Sequence, residues 1–491
     1  MVVERDELER VLGVKVPAGV ERIFGVTHDS REVGPGFAFV AVPGFKRDGV
    51  EFVPEALGRG AMLVVAEREV PGAPVAVVSD ARAALARLAC AFYGHPSRAM
   101  EVYGVTGTNG KTTTCYALHA VLEEAFGEGA CGLTTTAEVV VGDERRPAVR
   151  TTPEATEVQA GLAGMRERGV RRVVMEVSSH GIALRRVEGI RFAGAIFTNL
   201  SRDHLDLHGS MEEYYRTKRK LFLWAEGPKL VGADDAWGRR LAGEVEGVRT
   251  FGFAEGADYR IEDVRPSLAG MRFVLRHGEE ALALEVPLFG DYNVQNAAGA
   301  AAFALELGVE GEVVSRALRA MPQVPGRFER VGGLGFEVIV DYAHTEVGLE
   351  AVLRVAREVA RRGRSGRVIC VFGAAGERDG AKRPLMGRVA SRLADWSFIT
   401  TDDAYSEDPG KIAREVAAGV EDGRAEVVLD RREAIRRALW EAEGGDVVVV
   451  AGKGHERVQH LPEGDVPFHD ATVIREILEE LASCRERTRE R

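Results

Sequence analysis

The stretch Gly104-Val105-Thr106-Gly107-Thr108-Asn109-Gly110-Lys111-Thr112-Thr113 constrains this chain more than any other. An apolar, β-prone run at 100–105 leads into it, and a helix-like run at 115–124 follows. Strand, glycine turn, Lys-Thr and helix, in that order, make a phosphate cradle. Glycines let backbone N–H groups close around phosphate oxygens, and the helix N-terminus adds positive potential. Gly107, Thr108, Asn109 and Gly110 form the turn, with Thr113 closing the motif ahead of the helix-like run. Lys111 would reach the β/γ-phosphates of a nucleotide, and Thr112 would offer a hydroxyl to Mg2+. The first glycine of the common G-x-x-x-x-G-K-[ST] spacing would fall on Val105, so the loop departs from that pattern.

The remainder of the chain sets the frame. At 491 residues it needs more than one core. A formal net charge of −11 argues against nucleic acid or an anionic membrane as main partner. The charged opening segment reads as a helix rather than a leader, and no apolar run approaches a membrane span. The five scattered cysteines lack metal-binding or disulfide spacing, which fits a reducing cytoplasm. A monomer is expected.

Three α/β blocks are predicted. The first, 1–97, alternates short strands with helices and ends at Gly94-His95-Pro96-Ser97. The second, 98–325, carries the phosphate loop, strands at 172–177 and 194–200, a separate antiparallel patch at 259–287, and a helix at 293–307. After the break at 322–326, the third block, 326–491, alternates strands at 336–340, 367–372, 396–400 and 446–450 with helices. It reads as a doubly wound, Rossmann-like domain. The expected fold class is therefore α/β in three domains: a small α/β N-terminal domain, a central parallel-sheet P-loop domain and a Rossmann-like C-terminal domain.

In open parallel sheets ligands gather at the carboxyl ends of strands. Two such ends carry Met175-Glu176-Val177-Ser178-Ser179-His180-Gly181 and Thr198-Asn199-Leu200-Ser201-Arg202-Asp203-His204. Facing a phosphate loop, they suit a metal position. A hard cation prefers oxygen, so Glu176 is the leading candidate and His204 the supporting one.

The motifs GTNGKTT, EVSSHG, TNLSRDHLDLHG, GDYNVQNAAGA, PGRFE, DYAHT and GKGHE occur in this order along the chain. Together they resemble the Mur ligase family of ATP-dependent amino-acid ligases, and within it the type that adds the third residue of the peptidoglycan stem peptide. The resemblance implies phosphorylation of the carboxylate of UDP-MurNAc-L-Ala-D-Glu by ATP, then attack of a free diamino acid on the acyl phosphate. It implies that Lys218 is a carbamylated metal ligand beside Thr112, Glu176 and His204, in preference to its neighbours Arg216, Arg219 and Lys220. Lys111, Lys218 and His204 would be the catalytic residues. Asn293 and Asn296 would meet the adenine, with Arg327, Asp341 and His344 completing the ATP contacts when the third domain closes.

For the UDP-linked substrate the resemblance points to Ser30, Gly44, Phe45 and Lys46 on the uridine side. Thr151, Thr152, Ser178 and Arg186 fall on the muramoyl-peptide side. For the amino acid it points to Arg383 on the α-carboxylate and to Gly452 and Glu456 near the side-chain ammonium. In family members that add meso-diaminopimelate, the intervening loop reads D-N-P-R, and its Arg holds the distal carboxylate. Here the loop is Asp402-Asp403-Ala404-Tyr405. It has lost a cation and gained an anion, so L-lysine is expected, L-ornithine next, with meso-diaminopimelate the alternative. Competing classes are a P-loop nucleotide-binding protein without ligase chemistry, folylpolyglutamate synthetase, which lacks a UDP-binding first domain, and a cyanophycin-synthetase-type ligase.

Overall fold

Short runs of β-branched residues become strands hidden on both faces: every residue of Leu63–Ala66, Val368–Phe372 and Val447–Ala451 is buried. Helices cover them. The computed structural model describes residues 1–44, 47–148, 150–266, 270–362, 366–421 and 423–489. Two compact units result. One holds Met1–Ile261, Arg276–Glu280 and Ala298–Ala317; the other holds Glu262–Leu275, Ala281–Ala297 and Leu318–Arg491.

The first unit begins with a parallel sheet of Gly25–Thr27, Phe37–Val40, Leu63–Ala66 and Val75–Val77, paired in chain order. Helix Ala81–Phe92 packs on it, with the Asp80 side chain accepting the Ala83 N–H as its cap. A larger parallel array follows, ordered Cys131–Thr134, Arg172–Glu176, Glu101–Thr106, Phe192–Phe197, Lys229–Gly232 and Val248–Gly252. Glu101–Thr106 lies between Arg172–Glu176 and Phe192–Phe197, in register at Glu176↔Val105 and Phe197↔Thr106. The three loops read as site loops therefore leave one edge of the sheet side by side.

Two sequence expectations shift. The helix after the phosphate loop is Lys111–Phe126, starting before the expected 115. Thr112, Thr113 and Thr114 are polar yet buried, so an apolar pattern does not register that first turn. The stretch expected as a separate patch forms strands Tyr259–Pro266, Met271–His277 and Glu280–Val286. The first continues the large array, with Phe251 beside Tyr259 and Gly252 beside Arg260.

The second unit holds a sheet ordered Glu329–Gly332, Glu337–Asp341, Val447–Ala451, Val368–Phe372, Trp396–Ile399 and Ala425–Val427. Its first pair is antiparallel and the others are parallel. At the end of the central strand a guanidinium is wholly buried. Arg431 is ion-paired with Asp470 at 2.7 Å and donates to the Ala451 carbonyl at 3.0 Å. The pair ties helices Arg431–Glu441 and Asp470–Arg489 to the strand end that precedes Gly452 and Lys453.

Candidate active site

The phosphate loop is shaped by what it must pass. Gly107 has φ +151°, and a Cβ there would come within 1.9 Å of Thr198 Oγ1. Thr198 Oγ1 donates to the Asn109 carbonyl at 2.6 Å, and the Asn109 N–H donates to Asn199 Oδ1 at 3.0 Å. Asn199 also accepts the Thr108 N–H through its carbonyl. The loop is thus held open from the neighbouring strand end. Lys111 Nζ donates to the Thr108 carbonyl at 2.9 Å and lies 3.9 Å from Glu176 Oε1.

Glu176 is buried and fully engaged. It accepts Thr112 Oγ1 at 2.9 Å, the Thr136 N–H at 3.0 Å and Thr136 Oγ1 at 3.0 Å. Thr136 Oγ1 is also 2.9 Å from Thr151 Oγ1. Thr152 Oγ1 donates to the Glu176 carbonyl and accepts the Ser178 N–H. Arg186 donates to the Thr152 carbonyl and pairs with Glu154 at 2.6 Å. Thr112, Glu176, Thr151, Thr152, Ser178 and Arg186 therefore form one continuous network. Thr136, which joins its two halves, was not singled out in the sequence; no motif marks it, and only the fold brings it to Glu176.

Lys218 is separated from its basic neighbours by burial. It is 1% exposed, whereas Arg216 and Lys220 face solvent. Its Nζ donates to the Gly107 carbonyl at 2.7 Å and lies 4.8 Å from the Tyr214 ring centre. Burial, reinforced by the Lys111 charge, holds its pKa well below the ordinary lysine range. A neutral amine is the form that can take up CO2. His204 has φ +51° and packs edge-on against His180, with ring centres 4.7 Å apart. Burial pushes its pKa down as well, so it is neutral at pH 7. The oxygen-rich set of Thr112, Glu176 and a carbamate on Lys218, with a neutral imidazole beside it, fits Mg2+.

On the uridine side, the buried Ser30 donates its hydroxyl to Glu55 at 2.8 Å, and the Gly44 N–H donates to the Arg47 carbonyl at 3.0 Å. Phe45 and Lys46 lie outside the described residues.

Helix Asp291–Glu306, whose residues up to Ala297 belong to the second unit, begins two residues before the expected 293. Asn293 is therefore inside its first turn rather than capping it. Its amide donates to the Phe289 carbonyl at 2.9 Å and meets Asn296 at 3.4 Å, and both residues are buried. Arg327 lies over the Tyr342 ring at 4.3 Å. Asp341 accepts the N–H groups of Phe328 and Ala343, and burial raises its pKa. His344 Nδ1 is 2.8 Å from the Tyr342 carbonyl. Tyr342, absent from the sequence-based set, also donates its hydroxyl to Glu456 at 3.1 Å. It links the residues expected on ATP to those expected on the amino acid.

Asp402, Asp403 and Glu456 present carboxylate oxygens within 4.8 Å of one another. The sequence reading omitted the cation among them. Lys453, fully buried, donates to Asp403 at 2.7 Å and Glu456 at 2.9 Å. Lys453 stood inside the GKGHE motif, but its partner Asp403 lies 50 residues away in sequence. The Gly452 N–H donates to the Asp341 carbonyl, and the Asp402 carboxylate abuts Gly452. Burial raises the pKa of Glu456, against the pull of Lys453.

Tyr405 has φ +51° and stacks on His460, with ring centres 5.2 Å apart and planes 11° apart. The Tyr405 N–H donates to the His460 carbonyl, and the His460 N–H donates to Asp403. Gln459 donates to the carbonyls of Thr401 and Asp402. Hairpin Val458–Leu461/Gly464–Pro467 thus fixes the loop that carries the acids. Arg383 is 3% exposed; its terminal nitrogens meet Glu407 at 3.0 Å and Glu415 at 2.6 Å. The guanidinium expected to face a substrate carboxylate is already occupied by the protein's own.

Three family models match the chain: Mur ligase family, catalytic domain, over residues 22–93; Mur ligase middle domain, over 105–304; and Mur ligase, glutamate ligase domain, over 326–454. The chain is 41% identical to the UDP-N-acetylmuramoyl-L-alanyl-D-glutamate--2,6-diaminopimelate ligase of Syntrophomonas wolfei, covering 93% of this chain and 94% of the relative. It is 43% identical to the ligase of the same name from Gloeobacter violaceus, over 93% and 94%. A solved structure of a ligase of that name aligns at a TM-score of 0.68 and 30% identity, over 98% of this chain and 100% of that one.

Proposed function

Because this chain belongs to the Mur ligase family of ATP-dependent ligases of peptidoglycan synthesis, we propose that it joins L-lysine to the D-glutamyl carboxylate of UDP-MurNAc-L-Ala-D-Glu through an acyl phosphate. The observation that carries the ligase chemistry is the network from Thr112 through Glu176 and Thr136 to Thr151 and Thr152. It brings residues assigned to the phosphoryl donor next to residues assigned to the acceptor. A UDP-binding part at 1–97, an ATP-binding part at 98–325 and an amino-acid-binding part at 326–491 belong to the same proposal. The four-stranded, large and six-stranded sheets fall in these three stretches.

Gly107–Gly110 N–H groups and Lys111 bind and neutralise the ATP phosphates while the substrate carboxylate attacks the γ-phosphorus and ADP leaves. Thr112, Glu176, His204 and carbamylated Lys218 would hold Mg2+, which supplies charge neutralisation on the phosphoryl oxygens. Arg186, Thr151, Thr152 and Ser178 hold the muramoyl peptide, with Ser30, Gly44, Phe45 and Lys46 on the uridine. Asn293, Asn296, Arg327, Asp341 and His344, all in the second unit, are assigned to the nucleotide on the family resemblance. The amine of the incoming amino acid then attacks the acyl carbon, and phosphate departs. Arg383 receives the α-carboxylate by exchanging it for Glu407.

The assignment of lysine rests on charge. Three carboxylates share one ammonium, that of Lys453, and Tyr405 occupies the place where the meso-diaminopimelate-adding members of the family carry a carboxylate-binding Arg. A side-chain ammonium restores balance there; a second carboxylate adds to the excess, at a cost of several kcal/mol. L-ornithine differs by one methylene of reach. Two observations favour meso-diaminopimelate as a second reading. It is the diamino acid type in the relatives' names, and Arg378 lies 5.9 Å from the Tyr405 ring centre. The ligase mechanism is tested by labelling the D-glutamyl carboxylate oxygens. Label passes to inorganic phosphate if an acyl phosphate forms; phosphate released without label would exclude it.

A further inference from the structure

A cavity of about 280 Å³ in the first unit is lined by Gly44, Arg47, Arg82, Glu154, Arg186 and His28, among others. Its three arginines differ in one respect. Arg47 is paired with Glu51 at 2.9 Å and rests on the Phe52 ring. Arg186 is paired with Glu154 at 2.6 Å. Arg82, half-buried, makes a single hydrogen bond among the described residues, from Nη2 to the Pro43 carbonyl at 2.9 Å, and no carboxylate reaches ion-pair distance. Asp80, two residues before it, is engaged with Arg185. Glu154, Asp80 and Glu67 act on it only from beyond contact distance, and burial outweighs them; a guanidinium taken this far from water with no carboxylate in contact is costly unless a ligand supplies the anion. The cavity holds a second unmet group: His28 Nδ1 is buried without a hydrogen-bond partner.

Position identifies the anion. The Pro43 tether sets Arg82 beside Gly44, on the side assigned to uridine, while Arg186 and Glu154 stand at the network assigned to the muramoyl peptide. Between uridine and the sugar of a UDP-linked substrate lies the diphosphate. We propose that Arg82 binds this diphosphate. The proposal rests on the reading of the first unit as the UDP-substrate site.

The test is a competition series with uridine and UDP against UDP-MurNAc-L-Ala-D-Glu, on the full chain, for the wild type, Arg82→Gln and Arg82→Lys. A lost charge-assisted contact should weaken UDP and raise KM for the UDP-substrate about 10- to 100-fold in Arg82→Gln. Uridine inhibition and the KM values for ATP and amino acid should stay unchanged. Arg82→Lys should recover part of the loss. Equal weakening of uridine and UDP would mean that Arg82 only braces the Pro43 loop, and an unchanged UDP affinity would mean that it makes no contact; either overturns the proposal. Failure of the wild type to bind UDP at all would instead refute the underlying substrate reading, and the proposal with it.

Discussion

Lys453→Met removes the ammonium that, among the described residues, alone pairs with the clustered carboxylates of Asp403 and Glu456. Lys453 Nζ lies 2.7 Å from Asp403 and 2.9 Å from Glu456, with no solvent exposure of its own side chain. Stripping one partner from a buried ion pair typically costs about 3–5 kcal/mol, because the abandoned charge stays in a poor solvent. Part of that cost is relieved if Glu456 takes up a proton. Burial already raises its pKa, and the Lys453 charge is what opposes the rise. Without Lys453 the pKa climbs further, so the carboxyl is neutral over more of the working pH range. A neutral carboxyl cannot hold a side-chain ammonium. The variant's KM for the amino acid should therefore be most elevated at the acid end of the working pH range and fall as pH rises through that range, each pKa unit of displacement being worth about 1.4 kcal/mol. The wild-type profile should be flatter in that interval. Adding Asp403→Asn should recover some of the lost stability, because the second substitution removes the unpaired anion. Steady-state KM profiles and thermal melts of the three proteins decide the matter. A Lys453→Met enzyme with wild-type KM across this range would refute the charge balance drawn here.

Three further outcomes are expected. Tyr405→Arg restores a cation to the acid-bearing loop and should raise the ratio of kcat/KM for meso-diaminopimelate to that for lysine by about tenfold or more, read from phosphate release with each substrate; an unchanged ratio would remove Tyr405 from specificity. Lys218→Met should lose most turnover yet melt no lower than the wild type, since it replaces a buried amine with an apolar chain; full turnover would show that no carbamate is needed. Arg431→Leu leaves Asp470 buried and unpaired, so it should destabilise by about 3–5 kcal/mol, and adding Asp470→Leu should recover part of this in denaturant titrations.

Much of the architecture was legible because its signals are local. The glycine loop, the apolar strand runs and the polar segments after them fixed the α/β class and located Glu176 and Lys111. The first turn of helix Lys111–Phe126 escaped because its buried threonines carry no apolar period. The helix bearing Asn293 starts earlier than its apolar pattern for the same reason, with Asp291 and Tyr292 at its head. Partnerships between distant residues were not legible. Asp403 stands in the sequence as an unpaired anion, whereas in the fold it shares the Lys453 ammonium with Glu456, and Tyr342 joins Arg327 to Glu456 through a ring and a hydroxyl. Lys218 shows the opposite case. The family resemblance singled it out among four basic residues of one helix, and in the fold burial sets it apart from Arg216 and Lys220.

The most direct test is phosphate release by the purified protein with ATP, Mg2+ and UDP-MurNAc-L-Ala-D-Glu, supplied in turn with L-lysine, L-ornithine and meso-diaminopimelate. Release should require the UDP-dipeptide and an amino acid together, with kcat/KM highest for L-lysine. A higher kcat/KM for meso-diaminopimelate would overturn the assignment of the acid-rich loop around Asp403 and Tyr405, and no release with any of the three would contradict the ligase account itself.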